Sequence, residues 1–136
     1  MRRVIIAISL FVLGVCLAAD TRSVWDGGYT SKQATRGATT YSEECARCHG
    51  VNLLGGDNSP ELAGDSFLEG WNGRSVGDLF ELSRLKMPID DPGSLSREQY
   101  SDVVAFILSV NKFPAGQKDL ETDGAPLKQI RIEKTR

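Results

Sequence analysis

Cys45, Cys48 and His49 stand in the run Cys45-Ala46-Arg47-Cys48-His49, and that spacing suits covalent attachment of a haem. Two sulfurs three positions apart lie on one face of a helical turn, where both can form thioethers with the vinyl groups at one porphyrin edge. The imidazole that follows is then placed to ligate the iron. Three other chemistries use a Cys-x-x-Cys pair: a thiol redox couple, half of a zinc site, and an ordinary disulfide. A zinc site wants four ligands, and beyond residue 49 the chain holds no further cysteine or histidine. A thioredoxin-like couple sits in a strand-helix-strand setting, and no such pattern surrounds these residues. An exported chain can oxidise a lone pair; His49 directly behind the pair tips the reading toward haem.

The inventory of second ligands is short. Apart from Met1 the only methionine is Met87, and His49 is the only histidine. A neutral, soft thioether on the distal side favours reduced iron and raises the reduction potential. Pro88 forbids a continuing regular helix and biases Met87 away from helical geometry, leaving it on a turn. A lone methionine is otherwise an ordinary core residue, and Lys86, Tyr41 or an empty position are the alternatives. Two strong axial ligands leave the iron no open position, so a His49–Met87 axis means electron transfer rather than oxygen binding or peroxide chemistry.

Helices must position these groups. From Lys32 onward, Ala34, Gly37, Ala38, Tyr41 and Cys45 recur at three- and four-residue steps, the face of a helix that delivers the chain into the attachment motif. Gly37 inside that helix costs about 1 kcal/mol relative to Ala, which points to a close neighbour there. The stretch from Gly50 to Gly70 is rich in Gly, Asn, Asp and Pro and reads as a long loop wrapping one side of a cofactor. Ser75 with Asp78 forms a capping box for a helix carrying Leu79, Phe80, Leu82 and Leu85. Ser96 with Gln99 opens the clearest helix, whose Tyr100, Val103, Val104, Ile107 and Leu108 keep the spacing of a buried stripe. Asn111 to Gly116, with Pro114, ends it. Residues 20–31 read as an extended lead-in pinned by Trp25 and Tyr29, and residues 117–136 as a surface arm or a disordered tail.

The 136 residues, 40% apolar and 25% charged, fit one globular domain. Arg2 and Arg3 precede an apolar run from Val4 to Ala19, with Ala18 and Ala19 before Asp20, the layout of a secretory signal over residues 1–19. Its apolar run falls short of the roughly 20 residues of a comfortable membrane span, so cleavage is expected and an uncleaved anchor is the alternative. Val15 before Cys16 argues against a lipoprotein site, and Cys16 reads as a small apolar member of the signal. The address is then periplasmic or otherwise extracytoplasmic, with no membrane span after cleavage. The mature chain keeps 14 Lys and Arg against 18 Asp and Glu, and this acidic balance disfavours nucleic-acid binding.

Taken together, residues Lys32 to Phe113 resemble the class I c-type cytochromes. Gly37 and Tyr41 match the Gly-x-x-x-aromatic of that family's N-terminal helix, Cys45 to Gly50 its attachment site, and Met87-Pro88 its distal turn. The resemblance implies an all-α cytochrome c fold over 32–116: three to five helices around one covalent haem c, with the N-terminal helix crossing the C-terminal one near Tyr100 and Val104. Pro60-Glu61-Leu62-Ala63-Gly64 looks like the family's Pro-x-Leu-x-Gly loop, in which the Pro60 carbonyl accepts the proximal imidazole N–H and Leu62 packs on the haem. Trp71 and Arg74 are candidate contacts for the haem propionates; either reads equally well as a surface or packing residue, and for Arg74 that reading is the favoured one. Only 38 positions separate His49 from Met87, fewer than in the mitochondrial type, so one haem edge is expected to be exposed.

Within the family the chain is similar to single-haem domains that accompany pyrroloquinoline-quinone (quinoprotein) dehydrogenases. Leu54-Gly55-Gly56, Asp78-Leu79-Phe80, Pro92 to Ser96 and Asn111 to Gly116 carry that likeness. What it implies is a carrier of single electrons, with no catalytic residue, that takes them from a quinoprotein dehydrogenase and passes them to a terminal oxidase or another cytochrome. Two other readings stand beside it: a haem sensor or small-ligand-binding domain with a displaceable distal ligand, and a permanently bound subunit of a dehydrogenase complex with 117–136 as docking arm.

Overall fold

The structure, a computed structural model, describes residues 21–136. The signal segment expected at 1–19, Cys16 included, lies outside the described residues.

Two long helices form the frame. Helix α1, Ser31–Glu44, is capped by Thr30, whose hydroxyl accepts from the Gln33 N–H, and buries Gln33, Ala34, Gly37, Thr40 and Tyr41. A short helix α2, Ala46–His49, follows almost without a break. Near the other end of the chain, the helix opened by Ser96 and Gln99 spans Arg97–Val110. The whole predicted stripe, Tyr100, Val103, Val104, Ile107 and Leu108, is buried, and α1 is the main helix packed on it. The crossing is centred on Gly37 and Asp102, within the span expected from the resemblance. The rings of Tyr41 and Phe106 pack beside it at 5.3 Å, and Arg36 clamps its edge with bonds to Asp102 at 2.8 and 2.9 Å.

Between these helices the chain is more regular than its composition predicts. The loop after the attachment motif ends at Gly64, not Gly70, because Asp65–Trp71 forms helix α3. Phe67 is buried and Trp71, four positions on, stacks near it at 6.0 Å. Seven residues with one buried side chain give too short a period to stand out in sequence. Helix α4, Val76–Lys86, begins at Ser75 with both capping-box bonds to Asp78 formed. Its C-cap is Met87, in extended geometry at φ −125° and ψ 149°, before a cis Met87–Pro88 peptide. In chain order the Arg97–Val110 helix is α5.

The C-terminal twenty residues form an ordered arm that includes a helical turn and a strand. Leu120, Leu127, Ile130 and Ile132 are all buried. The single turn α6, Gly124–Leu127, packs on α4, and strand β2, Ile130–Arg131, pairs in parallel with β1, Arg22–Ser23. Ile132 bonds through its backbone to both Arg74 and Gly73, each at 2.8 Å. The arm's apolar groups are thus taken up by its own domain. Trp25 and Tyr29 do pin the lead-in: the Trp25 ring meets Phe113 edge-on at 4.9 Å, and the Tyr29 hydroxyl donates to the Phe113 carbonyl at 2.6 Å.

The result is an all-α fold of four helices of seven to fourteen residues, the two four-residue turns α2 and α6, a 3-10 turn at Val24–Asp26 that interrupts the lead-in expected to be extended, and one two-residue strand pair among the described residues. No helix there is long and apolar enough to cross a membrane.

Candidate haem site

The end of α1 and α2 together build one wall. Cys45 closes α1 through its N–H to the Tyr41 carbonyl at 2.9 Å, and one turn on come Cys48 and His49. Burial pushes the Cys45 thiol up to about 11, with the charges of Glu44 and Cys48 adding to it. A redox couple wants a thiolate stabilised near neutral pH. Cys45 has the opposite environment.

His49 is buried, and its Nδ1–H donates to the Pro60 carbonyl at 2.9 Å, leaving Nε2 as the nitrogen available to a metal. The loop that carries Pro60 is held at three points. The Gly55 N–H donates to the His49 carbonyl at 2.8 Å, and a β-carbon on Gly55 would lie 2.6 Å from the Ser59 carbonyl oxygen. The third point is Asn111, the C-cap of α5. Its buried side chain donates to the Leu62 carbonyl at 3.0 Å and accepts from the Gly64 N–H at 3.1 Å. Sequence reading takes Asn111 only as a helix terminator, because a capping asparagine and a loop-fixing one look alike.

Met87, the C-cap of α4, contributes to a second wall and is half-buried. Tyr100 on α5 donates its hydroxyl hydrogen to the Met87 carbonyl at 2.6 Å. Sequence reading places Tyr100 in the core stripe and misses this contact, which depends on how the 87–93 segment folds back.

Between the walls lies a cavity of about 240 Å³. Of the residues singled out from sequence for the cofactor, Cys45, Cys48, His49, Pro60, Leu62, Trp71 and Met87 line it. Leu79, Leu82, Leu95, Val103 and Ile107 supply much of the remaining surface. The alternatives for the distal side are not brought there. Lys86 is exposed and Tyr41 donates to the Gly50 carbonyl at 2.7 Å, and neither lines the cavity. Arg74 also stays outside, its guanidinium 3.9 Å above the Trp71 ring.

These residues fit a haem. A single water needs only about 10–15 Å³ of such space, so the cavity suits a far larger and mostly apolar group. Among the described residues no three His, Cys, Asp or Glu side chains converge on a point that could hold a bare metal ion. One imidazole and one thioether suit a metal that arrives with four ring nitrogens of its own.

Helices crossing at a glycine around an apolar slot, with a Cys-x-x-Cys-His wall, define a class I c-type cytochrome. Residues 32–107 match the family model described as cytochrome c oxidase, cbb3-type, subunit III, and the chain belongs to that family. It is 30% identical over 92 residues to the cbb3-type cytochrome c oxidase subunit CcoP of Azospirillum brasilense, covering 56% of this chain and 30% of that protein. The chain therefore spans under a third of that relative's length. In fold it is similar to the sulfane dehydrogenase SoxCD of Paracoccus pantotrophus, with a TM-score of 0.52 and 21% identity over 73% of this chain and 52% of that one. Membership of a cytochrome c family makes it an electron-transfer protein and implies haem c as its cofactor.

Proposed function

We propose that the chain is an exported, single-haem electron carrier with the haem joined to Cys45 and Cys48 and ligated by His49 and Met87. The haem supplies a one-electron couple at iron; the protein's residues hold it, orient it and exclude water. His49, with its tautomer set by Pro60, is the proximal donor, and Met87 the distal one. The observation that carries this reading is that the one histidine and the one thioether outside the N-terminal segment line the same apolar cavity as both cysteines.

The cavity mouth is the electron port. Leu82 and Ile89, 39% and 76% exposed, stand at it together with Glu44, Glu61 and Asp90. Arg47, the one basic residue in that lining, is paired with Asp90. An acidic rim around an apolar opening suits a transient redox partner with a basic face. The name of the Azospirillum relative supports a terminal oxidase, or a cytochrome on the way to one, as acceptor; the loop likenesses noted above support a quinoprotein dehydrogenase as donor. Residues 1–19 act as the export signal in this reading, and residues 32–116 form the haem domain with the lead-in and arm wrapped on it. A second reading, a subunit fixed in a larger oxidoreductase, is favoured by that relative being a subunit.

Optical spectroscopy of the haem-loaded protein tests the carrier. The oxidised form should show the weak far-red band of methionine-ligated iron, and the reduced form should not bind carbon monoxide readily. Absence of the band with ready carbon monoxide binding would instead identify a ligand-binding haem domain. Copurification of a stoichiometric dehydrogenase or oxidase would favour the fixed subunit.

A further inference from the structure

We propose that Tyr100 is a positioning residue for the distal ligand, holding the turn that carries Met87 through a single buried hydroxyl. The proposal rests on the His49–Met87 axis proposed above. Tyr100 is 2% exposed and lies in the first turn of α5, the helix most firmly fixed by its crossing with α1. Its hydroxyl donates to the Met87 carbonyl at 2.6 Å and accepts from the Gly93 N–H at 3.1 Å. One oxygen therefore ties both ends of the 87–93 segment to the frame.

The segment has little else to hold it. Residues 89 to 93 are exposed, and the Asp91 N–H to Pro88 carbonyl bond is internal to the turn. Three other hydrogen bonds leave it: Met87 N–H to Ser83 within its own helix, the Ser94 N–H to the Asp91 carbonyl at 3.3 Å one residue beyond the turn, and the pair between Asp90 and Arg47. Both members of that pair are more than half exposed, where ion pairs contribute little. Without the Tyr100 hydroxyl, the Met87 carbonyl loses its bond to the frame and the thioether is less firmly presented to the cavity.

The chemical consequence is competition at iron. An added ligand binds with an apparent affinity that scales with the fraction of molecules whose Met87 is off the metal. Tyr100→Phe, which keeps the ring and removes the oxygen, should bind imidazole at oxidised iron about tenfold more tightly than the parent and weaken its far-red band. Tyr41→Phe is the control. It deletes a hydroxyl bonded to the Gly50 carbonyl on the proximal side, and should change imidazole affinity by less than about twofold even where thermal stability falls. In a Met87→Ala background, Tyr100→Phe should likewise change imidazole affinity by less than about twofold, since no distal thioether remains to be positioned.

Parent-like imidazole affinity in Tyr100→Phe, or an equal gain in Tyr41→Phe, overturns the proposal and leaves the axis standing. A parent protein that lacks the methionine signature overturns the axis and the proposal together.

Discussion

The carbonyl oxygen of Asp102 lies 1.8 Å from the point where a β-carbon on Gly37 would sit. No side chain is tolerated at that separation, so α1 and α5 meet backbone to backbone, and their crossing sets the distance between the wall that bears the cysteines and the helix that bears Tyr100.

Gly37→Ala should therefore destabilise the protein by about 2–3 kcal/mol or more, because the clash is with backbone that cannot rotate away. Gly70→Ala is the matched control: it lies exposed in α3 with nothing within 4 Å of a new β-carbon. That substitution should be neutral or stabilising by about 0.5–1 kcal/mol, since alanine is the better helix former. Denaturant unfolding of the two variants checks both.

Met87→Ala should leave the haem covalently attached, because the proposed thioethers are to Cys45 and Cys48. Loss of the thioether should lower the reduction potential and admit imidazole or cyanide to the iron. Redox titration and ligand binding report this; an unchanged potential and spectrum would remove Met87 from the coordination axis.

The C-terminal arm should behave as core. Leu127 and Ile132 have no solvent exposure, and Gly77 in the first turn of α4 has room for no side chain against Lys128 and Gly124. Leu127→Ala should cost about 3 kcal/mol, the usual result of emptying a buried leucine site. A cost below about 0.5 kcal/mol would mean that the arm is dispensable to the domain.

Charge at the cavity mouth should govern encounter. Glu44 and Glu61 stand at the opening and form no ion pair among the described residues. Reversing both to Lys should slow association with a basic redox protein by about tenfold at low ionic strength, with the difference shrinking as salt is added. Stopped-flow reduction measures this, and an unaltered rate would place the port elsewhere.

Acid should expose the contribution of the α4 cap. The Ser75 backbone N–H, then its hydroxyl, hold the Asp78 carboxyl below its ordinary value. A carboxyl depressed in the folded state contributes stability above its unfolded value near 4, and that contribution is lost as pH falls through the lower folded value. Thermal midpoints should thus drop as pH is lowered below about 4, and less steeply in Asp78→Asn. Parallel curves would show that the cap carries no charge-dependent share.

Much of this was legible in the chain because it is local. The Ser75–Asp78 and Ser96–Gln99 capping boxes are three-residue codes, and the stripe from Tyr100 to Leu108 is a period that survives any packing. Seven of the eight candidate haem contacts named from a motif, a scarcity of donors and a family likeness line the cavity, and Arg74 does not. Helix α3 escaped because seven residues carry too little period, and the roles of Asn111 and Tyr100 escaped because each acts on a loop distant in sequence.

The sequence alone determined the chemistry on offer: two thiols and an imidazole at attachment spacing, and a single thioether thirty-eight positions on. It also determined why Gly37 had to be small, without saying against what. Tertiary structure alone decided that these donors line one apolar cavity, that Leu120, Leu127, Ile130 and Ile132 of the last twenty residues are buried against the domain, and that the Tyr100 hydroxyl bonds the turn carrying Met87. The physical reason is range. Caps and helical periods are set by neighbours within a few residues, whereas the cavity and its anchors are set by how side chains far apart in the chain exclude water together.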